Sequence, residues 1–265
     1  MKLDQLLTKM WNDYTELNPK ALEIYNLFKQ KEEKVINDHV AFRTFNHKLI
    51  NIDNFAKAFV DLGYVKKDYY EFKQKKLDAY HYEHADSNLP KIFISELRLE
   101  DFSDSLQSKV NKMIEQISPE MIFKPDFCIS GRGWGVSFQD YQELKEESEY
   151  AAWLSAFGFR VNHFTVLVNA LSSFSNLEEL NTFIKSHGHS LNTSGGEIKG
   201  TPEQFLEQSS TLSYNQEIHF TDGKHIIPAC YYEFAKRHVM PNGNLFSGFV
   251  AGSADKIFES TNKGQ

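Results

Sequence analysis

The sequence predicts an α+β fold in which two copies of one unit, a strand followed by a helix and further strands, come after a pair of helices. Two apolar runs with a histidine inside them, NDHVAFRTF and VNHFTVLV, have the residue types of buried strands. A helical pattern follows each run, and helical spacing also fills the start of the chain. Because no linker rich in Pro, Gly or Ser separates the copies, we expect a single domain over residues 1–265.

Residues 1–34 are expected to form a helical cover. Leu3, Leu6 and Met10 recur at helical spacing, and Pro19 suits the first turn of a second helix. These two helices precede the first copy of the repeated unit.

The first copy is expected over residues 35–140. Its first strand, Val35–Phe45, places His39 and Arg43 on one face, since side chains on a strand alternate between faces. The run NIDNFAKAFVDLG predicts a helix that ends at Gly63. The runs DAYHYEH and KIFISELRL predict strands, and the charged run after them predicts a solvated helix.

A helix over residues 141–157 is expected to join the copies, and residues 158–265 are expected to hold the second copy with a C-terminal lid segment. The strand FRVNHFTVLVNA carries His163, and a helix follows it as in the first copy. The run TPEQFLEQ is typical of a helix start, with Thr201 as N-cap. The run NQEIHFTDGKHIIPACYYEFAKR predicts a hairpin that turns at its Asp-Gly pair and has a long second strand.

The two copies align with one insertion. From the strand histidine to the glycine that ends the helix is 24 residues for His39 and Gly63, and 25 for His163 and Gly188. The helix positions also correspond, with Asn51, Ile52, Phe55 and Phe59 matching Asn176, Leu177, Leu180 and Ile184. A pseudo-twofold packing of the copies would therefore bring both histidines toward a shared centre.

Composition narrows the class of partner to small molecules. The formal net charge is -7, whereas nucleic acid and anionic membranes normally require a basic face, so we expect neither as a partner. The chain has no long apolar run of membrane-spanning length. Its two cysteines, Cys128 and Cys230, are expected as buried thiols in a reducing, cytoplasmic location.

His39 and His163 are the first candidates for metal ligands, because they occupy matching points of the two copies. Glu233 is the third candidate, a carboxylate in the aromatic run YYEF, where an unpaired charge would be costly. Two imidazoles and one carboxylate leave positions open for substrate and dioxygen, as in non-haem Fe(II) oxygenases. The alternative for Glu233 is a salt bridge to Lys236 or Arg237.

Other polar residues of the predicted strands are weaker candidates. Glu96 lies in the first copy roughly where Glu233 lies in the second, which suggests a vestigial ligand or an outer group that orients a histidine. The remaining histidines of short motifs and of the hairpin are expected at the surface; they are His81, His84, His187, His189, His219 and His225.

Arg43 shares the strand face of His39 and lies roughly 13 Å further along it. A guanidinium that points inward needs a partner, and a substrate carboxylate can accept two parallel hydrogen bonds from it. This separation suits a short dicarboxylate, with one end on the metal and the other on Arg43. The alternative is an internal salt bridge.

As a set, the segments DHVAFRTF, FISELRL, VNHFTVLVN, GGEIKGTP, LEQSSTL, YYEFAKR and FVAGSADKIFEST resemble the 2-oxoadipate dioxygenase/decarboxylase family, also called hydroxyglutarate synthase. The resemblance covers residues 35–261. It implies a fold like that of the vicinal oxygen chelate superfamily, with paired βαβββ modules that form a curved mixed sheet around one metal.

The same resemblance implies that His39, His163 and Glu233 hold Fe(II) and that Arg43 binds a 2-oxo acid substrate. The implied reaction converts 2-oxoadipate and O2 to 2-hydroxyglutarate and CO2, a step of lysine breakdown. By looser analogy, Ser253 in VAGSAD is expected to border the substrate.

Two other functions stay open on the sequence alone. One is an isomerase or hydrolase of the same fold that uses zinc, nickel or manganese without oxygen, and metal analysis would distinguish it. The other is a non-catalytic small-molecule binding module, in which His39→Ala would leave ligand affinity independent of metal.

Overall fold

A computed structural model describes residues 1–31, 33–250 and 252 of the chain. The two predicted N-terminal helices are present as α1 (Leu3–Leu17) and α2 (Pro19–Gln30), and Pro19 lies in the first turn of α2. The buried residues of α1 recur every three or four positions and form an apolar stripe. Within this stripe the Tyr14 ring packs on Phe164, so the helices cover the second histidine strand.

The first copy of the repeat forms β1 (Asn37–Phe45), α3 (Ile52–Asp61), β2 (Val65–Phe72), β3 (Leu77–Glu83) and β4 (Lys91–Leu97). The Asn51 side chain caps α3 by accepting a hydrogen bond from the Asn54 backbone N–H. The sequence pattern did not indicate β2, because this edge strand is polar and mostly exposed.

Four helices follow in the described chain: α4 (Asp104–Ile114), α5 (Pro119–Ile122), α6 (Phe138–Glu147) and α7 (Glu149–Phe157). The prediction of one joining helix over residues 141–157 was therefore wrong. The chain breaks at Ser148, whose hydroxyl accepts a hydrogen bond from the Ala151 backbone N–H and caps α7.

The second copy forms β5 (Val161–Leu167), α8 (Leu177–Ser186), β6 (Lys199–Thr201), β7 (Leu206–Ser210), β8 (Asn215–Phe220), β9 (Gly223–Pro228) and β10 (Glu233–Arg237). The Asn176 side chain caps α8 as Asn51 caps α3. Backbone φ is positive at both Gly63 and Gly188, as expected for the ends of these two helices.

Eight strands of the described chain form one mixed sheet in the order β2-β3-β4-β1-β5-β10-β7-β6. From the centre outward, both halves have the same order: the histidine strand, the last strand of the copy, and then two earlier strands of that copy. At the centre β1 and β5 pair antiparallel, whereas β1–β4 and β5–β10 pair parallel. A pseudo-twofold axis thus lies between β1 and β5.

The helix predicted to start at Thr201 is a single 3₁₀ turn, Pro202–Gln204. Phe205 then adopts the left-handed conformation and β7 begins, because pairing of β7 with β10 takes up the residues that would continue a helix. The first copy has the same feature, a 3₁₀ turn at Lys73–Lys75 followed by left-handed Lys76. The capping motif predicted the turn but not its length.

The predicted hairpin is present as β8 and β9, but its turn residues are Thr221 and Asp222. The expected long second strand was wrong, since β9 ends at Pro228 and β10 begins only at Glu233. The hairpin forms a separate two-stranded sheet, inserted before the last strand of the second copy. Pro228 has no N–H with which to continue a ladder.

Gly158 sets the entry of the chain into β5. Its backbone has φ 69 and ψ -147, a region that essentially only glycine adopts. A Cβ built there would lie 2.2 Å from the Gly131 carbonyl oxygen. This close approach allows the bridge between Gly131 and Phe159 that fixes the start of the strand carrying His163.

Cys128 and Cys230 are buried free thiols, as predicted, and burial raises the pKa of both. Within the part of the chain that the structure describes, no helix has the length and apolar character needed to cross a bilayer.

Candidate metal centre

His39, His163 and Glu233 lie together inside the sheet, and one nitrogen or oxygen atom of each is within 4.8 Å of the others. His39 Nε2 lies 3.6 Å from Glu233 Oε1, and His163 Nε2 lies 3.3 Å from Glu233 Oε2. Strand register explains the meeting: His39 and Glu233 both pair with Thr165 of β5, from opposite sides. All three side chains are at most 5% exposed.

The outer nitrogen of each histidine is held by the residue before it. His39 Nδ1 lies 2.8 Å from Asp38 Oδ1, and His163 Nδ1 lies 3.0 Å from Asn162 Oδ1. Because a carboxylate and an amide oxygen can only accept, Nδ1 carries the hydrogen in both rings. The Nε2 atoms therefore present lone pairs toward Glu233, as metal ligands must.

Glu233 is fully buried, and the described residues provide it with no lysine or arginine partner. Burial raises the pKa of its carboxyl, while His39 and the Gln208 amide act to lower it. The alternative salt bridge is not formed, since the Arg237 guanidinium pairs with Asp38 instead. A carboxylate in this setting requires a positive charge from elsewhere, and a divalent ion between the three ligands would supply it.

The donor set fits a divalent transition metal, for which imidazole and carboxylate are suitable ligands. Burial lowers the pKa of His163 well below its ordinary value, helped by His39 and Arg43, so this ring is neutral and its lone pair is available. Three protein ligands leave coordination positions for exchangeable groups, the arrangement of catalytic rather than closed structural sites.

A buried ion pair links the metal ligand His39 to the C-terminal part of the described chain. Arg237 donates from Nε to Asp38 Oδ2 and, over 2.8 Å, from Nη2 to Asp38 Oδ1, the oxygen that also accepts from His39. Although burial acts to raise it, the pKa of Asp38 is held well below its ordinary value by Arg237 and then by His39. Arg237 Nη1 also donates to the carbonyl oxygens of Phe246 and Gly248.

The Phe249 ring packs against the candidate ligand His39 from this C-terminal side. Its centroid lies 4.8 Å from that of His39, edge to face, and it also contacts His81 and Phe93. Arg237 therefore both orients His39 through Asp38 and holds the segment that shields it.

Arg43 is buried on the same sheet face as His39. Its Nη1 lies 3.2 Å from Glu149 Oε1, and its guanidinium packs over the rings of Tyr150 and Trp153. The internal salt bridge considered from the sequence is thus formed with Glu149, whose side chain is 20% exposed.

A cavity of about 300 Å³ reaches Arg43. Its lining carries more positive than negative side chains, namely Arg43, Lys75, Lys76 and Lys145 against Glu147 and Glu149. None of the three metal ligands lines it among the described residues. The cavity therefore gives access to the arginine end of the strand face rather than to the metal ligands directly.

Glu96 does not orient either histidine, so that expectation was wrong. It pairs with Thr44 on the opposite face of the sheet, where its Oε2 accepts a hydrogen bond from the Ile52 backbone N–H at the start of α3. In the first copy Phe93 occupies the place of Glu233. Phe93 pairs with the residue two positions after His39, and Glu233 pairs with the residue two positions after His163. One copy thus supplies a ligand where the other supplies an aromatic ring.

Two histidines differ from their predicted surface positions. His81 is fully buried, and its Nδ1 atom forms a hydrogen bond with the Tyr70 hydroxyl. Burial lowers the pKa of His81 to about 4. His189 is also buried. Ser253, expected to border the substrate, lies outside the described residues.

The sequence did not predict the groups that orient the candidate ligands, which are Asp38, Asn162 and Arg237. A signal for two of them was present, because each ligating histidine follows an Asp or Asn directly in DH and NH. The short side chain of such a residue reaches the Nδ1 atom of its neighbour. Arg237 had no local signal, since its partner lies 199 residues away.

The chain is similar to known proteins in sequence and in structure. A family model described as HGLS, 2-oxoadipate dioxygenase/decarboxylase, matches residues 3–129 and 132–247. The chain is 33% identical to the 2-oxoadipate dioxygenase/decarboxylase of Oryza sativa subsp. japonica, over 98% of this chain and 79% of that protein.

Solved structures agree with these matches. A Shewanella frigidimarina NCIMB 400 protein described as a candidate hydrolase is 46% identical with a TM-score of 0.91, covering 94% of this chain and 97% of that one. Hydroxyglutarate synthase from Oryza sativa, solved in complex with 2-oxoadipate, is 33% identical with a TM-score of 0.90, covering 97% and 91%.

The fold extends to more distant proteins. A candidate glyoxalase superfamily protein from Ralstonia eutropha JMP134 has a TM-score of 0.79 at 19% identity, over 92% of this chain and 84% of that one. This likeness confirms the predicted α+β fold of paired modules around a curved mixed sheet. With the family model matched over nearly the whole length and the relatives above, the chain belongs to the 2-oxoadipate dioxygenase/decarboxylase family.

Proposed function

We propose that this protein is an Fe(II)-dependent dioxygenase that converts 2-oxoadipate and O2 to 2-hydroxyglutarate and CO2. The observation that carries the proposal is the buried set of two oriented imidazoles and one carboxylate, within a family whose rice member was solved with 2-oxoadipate bound. When bound, ferrous iron would supply the electron transfer that activates dioxygen. Lysine breakdown is the proposed source of the substrate.

The chain's own residues would bind and position the dicarboxylate. We propose that Arg43 binds the carboxylate far from the metal, exchanging its contact with partly exposed Glu149 for the substrate. The lysines around the adjoining cavity would favour entry of a dianion at this end. Phe249 and the buried strand face would keep bulk water from the metal ligands.

The test is turnover of 2-oxoadipate by anaerobically iron-loaded protein after addition of ¹⁸O2. Loss of the first carbon as CO2 and oxidation of the next to a carboxylate leave one oxygen atom in that carboxylate and one in the new hydroxyl. We therefore expect 2-hydroxyglutarate that carries two ¹⁸O atoms, measured by mass spectrometry. A hydrolase or isomerase would take no label from O2, and that result would overturn the proposal.

Arg43→Met is expected to raise the KM for 2-oxoadipate by roughly 10- to 100-fold, because a charge-assisted pair with the far carboxylate is lost. The iron content should stay that of the wild type, since Arg43 is no ligand. The matched control is 2-oxohexanoate, which lacks the far carboxylate and should show little change. An equal rise in KM for both acids would contradict this role for Arg43.

A further inference from the structure

Tyr231 has a buried hydroxyl without a hydrogen-bond partner among the residues that the structure describes. The residue is fully buried, and its carbonyl oxygen accepts a hydrogen bond from the Tyr14 hydroxyl, which fixes the backbone at this point. Buried tyrosine hydroxyls usually have hydrogen-bond partners, since a buried donor without a hydrogen bond costs free energy of folding. An unpartnered hydroxyl therefore calls for an explanation.

The lack of a partner does not by itself indicate a ligand, because the hydroxyls of Tyr82 and Tyr232 also have none among the described residues. Tyr232 faces the helical cover, where its ring contacts Trp11 and Tyr14. What distinguishes Tyr231 is its surroundings.

The Tyr231 ring stacks on the ligand His163, with ring centroids 4.6 Å apart and an angle of 23° between the planes. Its phenol also lies within electrostatic reach of Glu233 at the metal centre and of Arg43 at the other end of the strand face. The group is thus a buried, unpartnered hydroxyl on a ring stacked against a candidate metal ligand.

We infer that the Tyr231 hydroxyl donates a hydrogen bond to an oxygen atom of the 2-oxo acid bound between the metal ligands and Arg43. This inference rests on the proposed function and adds a third contact to the metal and Arg43. It also assigns Tyr231 a part in selectivity, because a buried donor disfavours any ligand without an oxygen atom at that point.

Stacking on His163 gives the contact its precision. The parallel ring restricts Tyr231 to motion within its own plane, and His163 is in turn held by Asn162. The donor is therefore positioned by the same side chain that would bind the metal, which ties the place of the substrate to that of the ion.

The experiment is anaerobic calorimetric titration of 2-oxoadipate into the Fe(II)-loaded wild type, Tyr231→Phe and Tyr232→Phe. Phenylalanine keeps the stacked ring and removes only the hydroxyl. We expect the Kd of Tyr231→Phe to rise roughly tenfold, as for loss of one hydrogen bond to a charged ligand. Tyr232→Phe is the matched control and should bind as the wild type does.

Iron content and thermal unfolding of the ligand-free proteins provide the second readout. Both variants should bind iron and unfold as the wild type does, because the hydroxyls they lose have no hydrogen-bond partner within the described part of the chain. If the wild type binds 2-oxoadipate and Tyr231→Phe binds it equally well, the assignment of Tyr231 is overturned while the proposed function stands. If the wild type does not bind 2-oxoadipate, the proposed function fails and the assignment fails with it.

Discussion

Glu233→Gln is expected to lower the affinity for Fe(II) by more than about 100-fold, because even groups that only orient a ligand are worth 10- to 100-fold. The substitution keeps the shape of the side chain but removes the negative charge that faces both Nε2 atoms. Affinity is measured by anaerobic competition with a chromophoric chelator.

Glu96→Gln is the control for this loss. It changes the same functional group in the first copy, on the face of the sheet that bears α3 and away from the histidines. Its iron affinity should equal that of the wild type. Wild-type affinity in Glu233→Gln would remove this carboxylate from the ligand set.

Arg237→Met is expected to reduce the free energy of unfolding of the metal-free protein by about 3–5 kcal/mol, the usual cost of leaving one charge of a buried pair uncompensated. Asp38 is 2% exposed on its side chain and, among the residues that the structure describes, would keep only the His39 ring as a partner. The carbonyl oxygens of Phe246 and Gly248 would lose their donor as well. Guanidinium denaturation at neutral pH measures the loss.

Arg98→Met gives the comparison for Arg237. Arg98 pairs with the carboxylates of Glu71, Asp78 and Asp101, but its side chain is 18% exposed and water can replace the contacts. The expected loss is about 1 kcal/mol or less. Similar losses in both variants would mean that burial does not determine the value of the Arg237 pair.

Arg237→Met also tests how His39 is held in place. Because Asp38 would no longer be fixed by Arg237, we also expect a weaker iron affinity in Arg237→Met, by roughly tenfold or more. Unchanged affinity would show that the contact between Asp38 and His39 suffices without its outer partner.

Much of the fold follows from short-range signals. The apolar runs that form β1 and β5 and the glycines that end α3 and α8 are local patterns, and each was read correctly. Where a local signal competed with distant pairing, the prediction failed. The motif at Thr201 indicates a helix, but hydrogen bonds to β10 convert the residues after one turn into β7.

The candidate site divides in the same way. His39 and His163 could be selected because the repeat places them at matching positions, and Glu233 because a carboxylate in an aromatic strand needs a counter-charge. Glu96 shows the limit of such reasoning. It lies one residue away from the positions of its strand that face the site, so its side chain is on the other face of the sheet.

By itself, the sequence determined the repeat, the strand faces and the residue types of three candidate ligands, because these depend on spacing along a few neighbouring residues. Only the tertiary structure decided that Arg237 supports Asp38, that Phe249 covers His39 and that Tyr231 stacks on His163. Such contacts join residues far apart in the chain, and their geometry is set by strand register and core packing, which no local pattern encodes.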